Sequence, residues 1–205
     1  MYQYSWLSAL DSGSESGMRD IGQVADLVVQ VSQSDPYVGL PPGSSAADVQ
    51  ALRARLQSVL GSGRAHVLII RDEQREDEQG EQGEAVGCAV LACSATPNQR
   101  HIAELTTGVV HPAHRGRGVV TGAFTEIGQR CRLLGVELLR LDVRAGIPAE
   151  RVWRQYGFQE YGRLADYGRI GDTPYAGVFL AQPVEELIAR VSQPMSTVSQ
   201  EAKQC

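Results

Sequence analysis

Residues 115 to 118 read Arg-Gly-Arg-Gly, after an apolar run that ends at Val110 and before an apolar stripe that includes Phe124. A strand-to-helix loop of this composition gathers glycine-freed backbone N–H groups and the positive end of a helix dipole at one point, which suits a phosphate. The candidate anion site is Arg115, Gly116, Arg117 and Gly118 with the first helical residues Val119, Val120 and Thr121. A tight turn with exposed arginines has the same sequence, so the loop alone does not decide between the two. Two carboxylates, Glu104 and Asp142, lie in otherwise apolar strand-like runs, where a charge costs free energy unless it is paired or used. Glu104 precedes Val110 by six residues, and a strand period of two predicts both on one sheet face. Asp142, near the C-terminal end of the neighbouring strand, is then expected to face the same cleft. Tyr37, in a Pro/Gly-rich link, is a candidate for substrate contact, since loops over a rigid scaffold commonly carry selectivity.

The elements that must position these residues follow from periodicity. A first strand near Tyr2–Leu10 and a Ser/Gly-rich linker precede Ile21, Val24, Ala25, Val28 and Val31, which repeat at helical spacing. The segment Ser34–Ser44 cannot continue that helix, and Ser45-Ala-Ala-Asp48 predicts an N-cap ahead of Val49, Leu52, Leu56 and Leu60. His66–Arg71 and Ala85–Ala95 are short apolar runs joined by the polar tract Asp72–Glu84, expected to be a solvated hairpin loop. A third long strand spans Ile102–Val110. After the glycine-rich loop, Phe124, Ile127, Cys131 and Leu134 predict a helix that Gly135 ends. The strand Val136–Val143, a helix over Pro148–Tyr156, a strand pair at Tyr161–Tyr167 and Tyr175–Gln182, and a last helix at Val184–Val191 complete the order.

Composition narrows the class. With 205 residues, of which 42% are apolar, the chain is enough for one domain with its own core. A net charge of −5 and a pI near 5.4 argue against nucleic-acid or anionic-membrane partners, which want a basic footprint. Neither a spanning segment nor a secretory leader is legible, so the expectation is a cytoplasmic protein. Cys88, Cys93, Cys131 and Cys205 lack metal-ligand spacing and read as small buried hydrophobes, with no metal expected. His111 and His114, flanking the loop proline, are expected to contact solvent.

The string Val109-Val-His-Pro-Ala-His-Arg-Gly-Arg-Gly118, between a strand and an amphipathic helix, resembles the acyl-coenzyme A signature of the GNAT superfamily of acetyl-CoA-dependent N-acetyltransferases. The resemblance implies an α+β fold with a mixed central sheet of about seven strands flanked by about four helices. With the single domain expected from length, this makes 1–182 one acyltransferase domain, followed at 183–205 by a C-terminal helix and a polar, Gln- and Ser-rich tail whose composition predicts disorder. The resemblance also implies that the loop amides cradle the pyrophosphate of acetyl-CoA, the cosubstrate, while the splayed strand ending in Val109 and Val110 holds the pantetheine arm through its backbone. Leu141–Gly146, Ala149-Glu150, Gly157-Phe158, Gly162-x-Leu164 and Tyr167 look like the tabtoxin-resistance-protein subgroup. One position departs from the signature. Its final Gly/Ala falls on Val120, whose branched side chain is expected to crowd the helix start and weaken or displace coenzyme A.

Acyl transfer to an amine needs a neutral nucleophile, an oxyanion stabiliser and a proton for the departing thiolate. The subgroup resemblance makes Glu104 and Asp142 the suspected bases and puts Tyr167 near the substrate. The superfamily's usual acid, a tyrosine four residues before Gly-Phe, is here Trp153, whose indole can donate a hydrogen bond but not its proton. Tyr156, three residues on, and Tyr167 are the alternative acids, and a further alternative is a thiolate that leaves as such and is protonated by solvent or the nascent ammonium. The expected activity is acetylation of a small-molecule amine, an antibiotic or toxin as in the subgroup. A non-catalytic acyl-coenzyme A sensor and a protein acetyltransferase are the alternatives, and a homodimer is left open.

Overall fold

The computed structural model describes residues 1–11, 13–34, 40, 43–76 and 83–193, with the backbone alone at 75 and 76. Tyr37, Cys205 and the tail beyond 193 lie outside the described residues. The elements follow one another as β1 (Tyr2–Leu7), α1 (Glu15–Ser34), α2 (Ala46–Gly61), β2 (Ala65–Glu76), β3 (Gly83–Cys93), β4 (Ile102–Val110), α3 (Val119–Leu134), β5 (Leu138–Arg144), α4 (Pro148–Gln155), β6 (Gln159–Ile170), β7 (Thr173–Pro183) and α5 (Val184–Val191). The expected order is present, and β2 and β3 reach further into the polar tract than their apolar runs suggested, still pairing at Glu76 and Gly83.

The seven strands form one sheet in the order β1-β2-β3-β4-β5-β7-β6, antiparallel throughout except for the β4–β5 pair. Apolar cores lie on both faces. On one, α1 and α2 bury Ile21, Val24, Val28, Val31, Leu56 and Leu60 against Val67, Ile69, Cys88, Val90 and Val109. On the other, Phe124, Ile127 and Cys131 of α3 and Val184 and Leu187 of α5 pack on Leu68, Leu91, Leu105, Leu139, Leu141, Val178 and Leu180. Strands β2 and β3 are therefore covered on both faces, which explains their near-continuous apolar runs.

Local sequence sets the helix ends. The Ser45 side chain accepts from the Asp48 backbone N–H while the Asp48 carboxylate accepts from the Ser45 backbone, a closed capping box that starts α2. Gly135 ends α3 at φ 69°, the left-handed cap anticipated there. Helices α3 and α5 approach so closely that a Cβ at Gly128 would press on the Ile188 side chain. The Arg132 guanidinium fork on the Glu185 carboxylate joins the same two helices at the surface.

Candidate functional site

The site is built around a parting in the sheet. Strands β4 and β5 pair in parallel at Ile102↔Leu138, Ala103↔Leu139 and Glu104↔Arg140, and their recorded pairing stops there. Residues 105–110 remain on β3 and residues 141–144 on β7, so a wedge opens between them with strand backbone along each wall. On β4 the register against β3 shifts by one residue between Cys88↔Val109 and Val90↔Thr106. Thr107 sits in this bulge at φ 51°, a conformation rarely adopted by a β-branched residue.

The bulge corrects one expectation. Leu105 joins the core under α3, so Glu104 and Thr106 face the α1–α2 side; past the extra residue, Val109 packs in the α1–α2 core and Val110 against the α3 core. Glu104 and Val110 thus lie on opposite faces, because one inserted residue inverts the alternation that a period of two assumes.

The loop beyond the wedge stands as the sequence suggested. Arg115, Gly116, Arg117 and Gly118 are exposed, with Gly116 at φ 74° and Gly118, the N-cap of the 16-residue α3, at φ 81°. These two left-handed residues turn the chain into the helix, a conformation that glycine adopts without the usual side-chain penalty. The Arg115 Nε–H donates to the Val110 carbonyl at 3.1 Å, tying the loop to the end of β4. The residues present fit a phosphate group: an exposed turn with two arginines, opening onto the N-terminal end of a long helix. Val119 is buried. Val120 lies partly against the core under α3, so packing engages part of the branched side chain expected to crowd the helix start. Gly122 has a separate reason to be glycine: the Tyr4 hydroxyl lies where its Cβ would be, and donates to the Val119 carbonyl.

His114 differs from expectation. It is 3% exposed, with Nδ1 3.1 Å from the Tyr2 hydroxyl and 3.8 Å from an Asp72 carboxylate oxygen, so it braces the loop against β1 and β2. Both partners lie more than 40 positions away in sequence, leaving no local signal for its burial.

The predicted polar residues divide between the two faces. On the α3 side, the Trp153 ring comes within 3.4 Å of the Cβ position at Gly108, beside the bulge, and meets Phe124 and Phe158 at 5.3 Å between centroids. The Tyr156 ring packs on Phe124 at 4.4 Å, and its hydroxyl is 2.6 Å from that of Thr121 in the first turn of α3. Tyr156 therefore links the anion loop to α4.

On the opposite face, Arg140, Asp142 and Arg144 of β5 point away from Leu139, Leu141 and Val143. Glu104 reaches Arg140 at 4.0 Å across the last β4–β5 pair. The Tyr167 hydroxyl donates to Asp142. Burial pushes the Asp142 carboxyl above the ordinary aspartate value, with its own backbone N–H working the other way. Tyr167 rests on Gly177, where a Cβ would overlap its ring, and stands edge-on to Phe179 and Tyr175. The Arg144 guanidinium lies 4.4 Å from the Tyr175 ring centroid. Phe179, Tyr175, Arg140 and Arg144 were not singled out from sequence. Their strand alternation gives a face, but not whether helices cover it.

Two cysteines are unsuited to nucleophilic chemistry: Cys88 and Cys131 are buried, and burial pushes both thiols up to about 12. Among the described residues, no helix is long and apolar enough to cross a membrane.

Comparison with known proteins agrees with this architecture. A GNAT-family acetyltransferase from Streptococcus pneumoniae superposes with TM-score 0.66 at 13% identity, over 89% of this chain and 99% of that one. A Salmonella typhimurium structure with its cofactor acetyl-CoA gives 0.63 at 13% identity, over 90% and 94%. Mycobacterium smegmatis RimJ, in complex with CoA-disulfide, gives 0.61 at 19% identity, over 91% and 86%. At such identities these likenesses speak for the fold. No curated protein matches by sequence. The model of the acetyltransferase (GNAT) family matches residues 49–158, more than half of the chain, and the protein belongs to that family.

Proposed function

We propose that this chain moves an acetyl group from acetyl-CoA to the amine of a small molecule, by direct transfer within a complex holding both. The reading is carried by one observation: the Arg/Gly loop at the start of α3 and the carboxylates of Glu104 and Asp142 lie on opposite faces of the sheet, about the point where β4 and β5 stop pairing. The amides at Gly116–Thr121 would hold the pyrophosphate, with Arg115 and Arg117 adding charge, and the backbone of Val109 and Val110 would hold the amide arm. Bound there, acetyl-CoA supplies a thioester carbonyl that an amine can attack.

The remaining work falls to side chains. We assign the proton of an incoming ammonium to Asp142, whose raised pKa supports the role, or to Glu104 at the start of the wedge. Transfer replaces the C–S bond by a C–N bond and releases an acetamide and a thiol. Tyr156, held by Thr121 on the other side of the sheet, is the side-chain hydroxyl we assign to returning a proton to sulfur. Trp153 packs beside the bulge, and its indole N–H is too weakly acidic to protonate sulfur. Leu141–Gly146 with Tyr167 supports the closer kinship to tabtoxin-resistance-like enzymes.

The test is calorimetric titration with acetyl-CoA, followed by an assay of free thiol with and without amines. Binding together with amine-dependent thiol release is the expected result. No association with any coenzyme A species at millimolar concentration would overturn the reading. Binding without turnover by any amine would favour a sensor, for which the Trp153 and Val120 departures are the motive.

A further inference from the structure

We infer that the acceptor is a small monocationic amine with an apolar body, its ammonium seated at Asp142 and its body on the aromatic floor of Phe179 and Tyr167. The inference depends on the acetyl-transfer reading for the name of the reaction, though not for the binding itself.

Charge selects the cation. Along β5 the same face presents Arg140, Asp142 and Arg144 in succession. Arg140 is matched by Glu104 across the strand pair, and Arg144 covers the Tyr175 ring. Asp142 is a half-buried carboxylate whose partner among the described side chains is a neutral phenol, with no described guanidinium or ammonium at ion-pair distance. A carboxylate so placed is complemented by a ligand that brings one positive charge. Arginines two residues away on either side oppose a second positive charge, so a polyamine is disfavoured. Arg140 faces Glu104 and Arg144 lies on the Tyr175 ring, so a ligand carboxylate meets each arginine beside a protein group, whereas an ammonium meets Asp142 beside a neutral phenol.

Shape selects the apolar body. Phe179 pairs with Asp142 in register and is only partly buried although it lies on an inner strand, because α1 and α2 pack over β2, β3 and β4. Tyr167 meets Phe179 edge-on at 6.1 Å, and Tyr161, 60% exposed, is tilted against it at 6.1 Å. Gly162 and Gly177, opposite or beside Phe179, add no side chain to this surface, which leaves flat ring area beside the carboxylate. Aromatic faces attract a cation and its polarised CH groups, and they shed water readily.

The probe is phenethylamine, titrated calorimetrically into the protein with and without saturating coenzyme A, alongside spermidine and phenylalanine. Phenethylamine is expected to bind at least about tenfold more tightly than either, a difference of about 1.4 kcal/mol. Asp142→Asn and Phe179→Ala should each weaken it about tenfold, while both variants keep the parent's affinity for coenzyme A. Tighter binding of phenylalanine or spermidine, no phenethylamine binding, or indifference to Asp142→Asn would each overturn the inference. If coenzyme A fails to bind while phenethylamine binds in an Asp142-dependent way, the acetyl-transfer reading falls and this one stands.

Discussion

Burial holds the proton on Asp142 at pH values where an exposed aspartate, ordinarily near 4, has already lost it. Only the ionised form accepts a proton, so acceptor turnover should fall on acidification around a midpoint above that ordinary value. Asp142→Asn should abolish this limb of the kcat/KM profile and lower kcat about 10²- to 10⁴-fold, as expected for loss of a general base. Tyr167→Phe keeps the ring on Gly177 and removes a donor to the carboxylate, so the limb should move to higher pH. On the opposite face, Gly118→Ala places a Cβ in open space but at φ 81°, so its penalty comes from the backbone alone. A left-handed alanine costs about 1–2 kcal/mol, and calorimetry should show coenzyme A affinity falling about tenfold. At this scale the position of the loop between strand and helix was legible, and the two carboxylates stood out as candidates, because charge and glycine are unusual in their settings. Phe179 was not legible: an aromatic residue in a strand is ordinary until the helices over that face are known.

The bulge in β4 inverts the strand so that Glu104 and Val110 serve opposite faces, and it does so through a threonine rather than a glycine. Thr107→Asn should accommodate the left-handed conformation better and raise stability by about 1 kcal/mol, read as a rise in Tm of roughly 2–4 °C. An unchanged or lower Tm would mean that the threonine side chain contributes more than its backbone costs. The sequence could not announce this feature, since Ile102–Val110 gives the correct strand limits whether or not one residue bulges out. The capping box at Ser45 and the glycine cap at Gly135 were legible because both act within a few residues. The bracing of His114 by Tyr2 and Asp72 was hidden because it joins distant segments.

Across the molecule, element order was readable from periodicity, while the division of the core between the two sheet faces and the partners of buried charges were not. Arg71, 3% exposed, receives the carboxylate of Asp20 and donates to Ser5 at 2.9 Å, fastening α1 to the β1–β2 edge. Burial raises Asp20 more than Arg71 lowers it, so protonating it favours the folded state, a gain fully present below the ordinary aspartate value and lost as pH rises through the raised folded value. Asp20→Ala leaves a buried guanidinium without its counter-charge and should cost about 3–5 kcal/mol in denaturant unfolding. Arg71→Met leaves a carboxylate that is 16% exposed and should cost distinctly less. The sheet has a further mechanical property. Strands β1 to β4, within residues 2–110, and strands β5 to β7, within 138–183, are bonded to each other directly at three residue pairs. That seam is the line along which the sheet can breathe. Amide hydrogens bordering it should exchange quickly with deuterated solvent and slow when coenzyme A is added, the ligand acting as the missing stitches between two halves of one fabric.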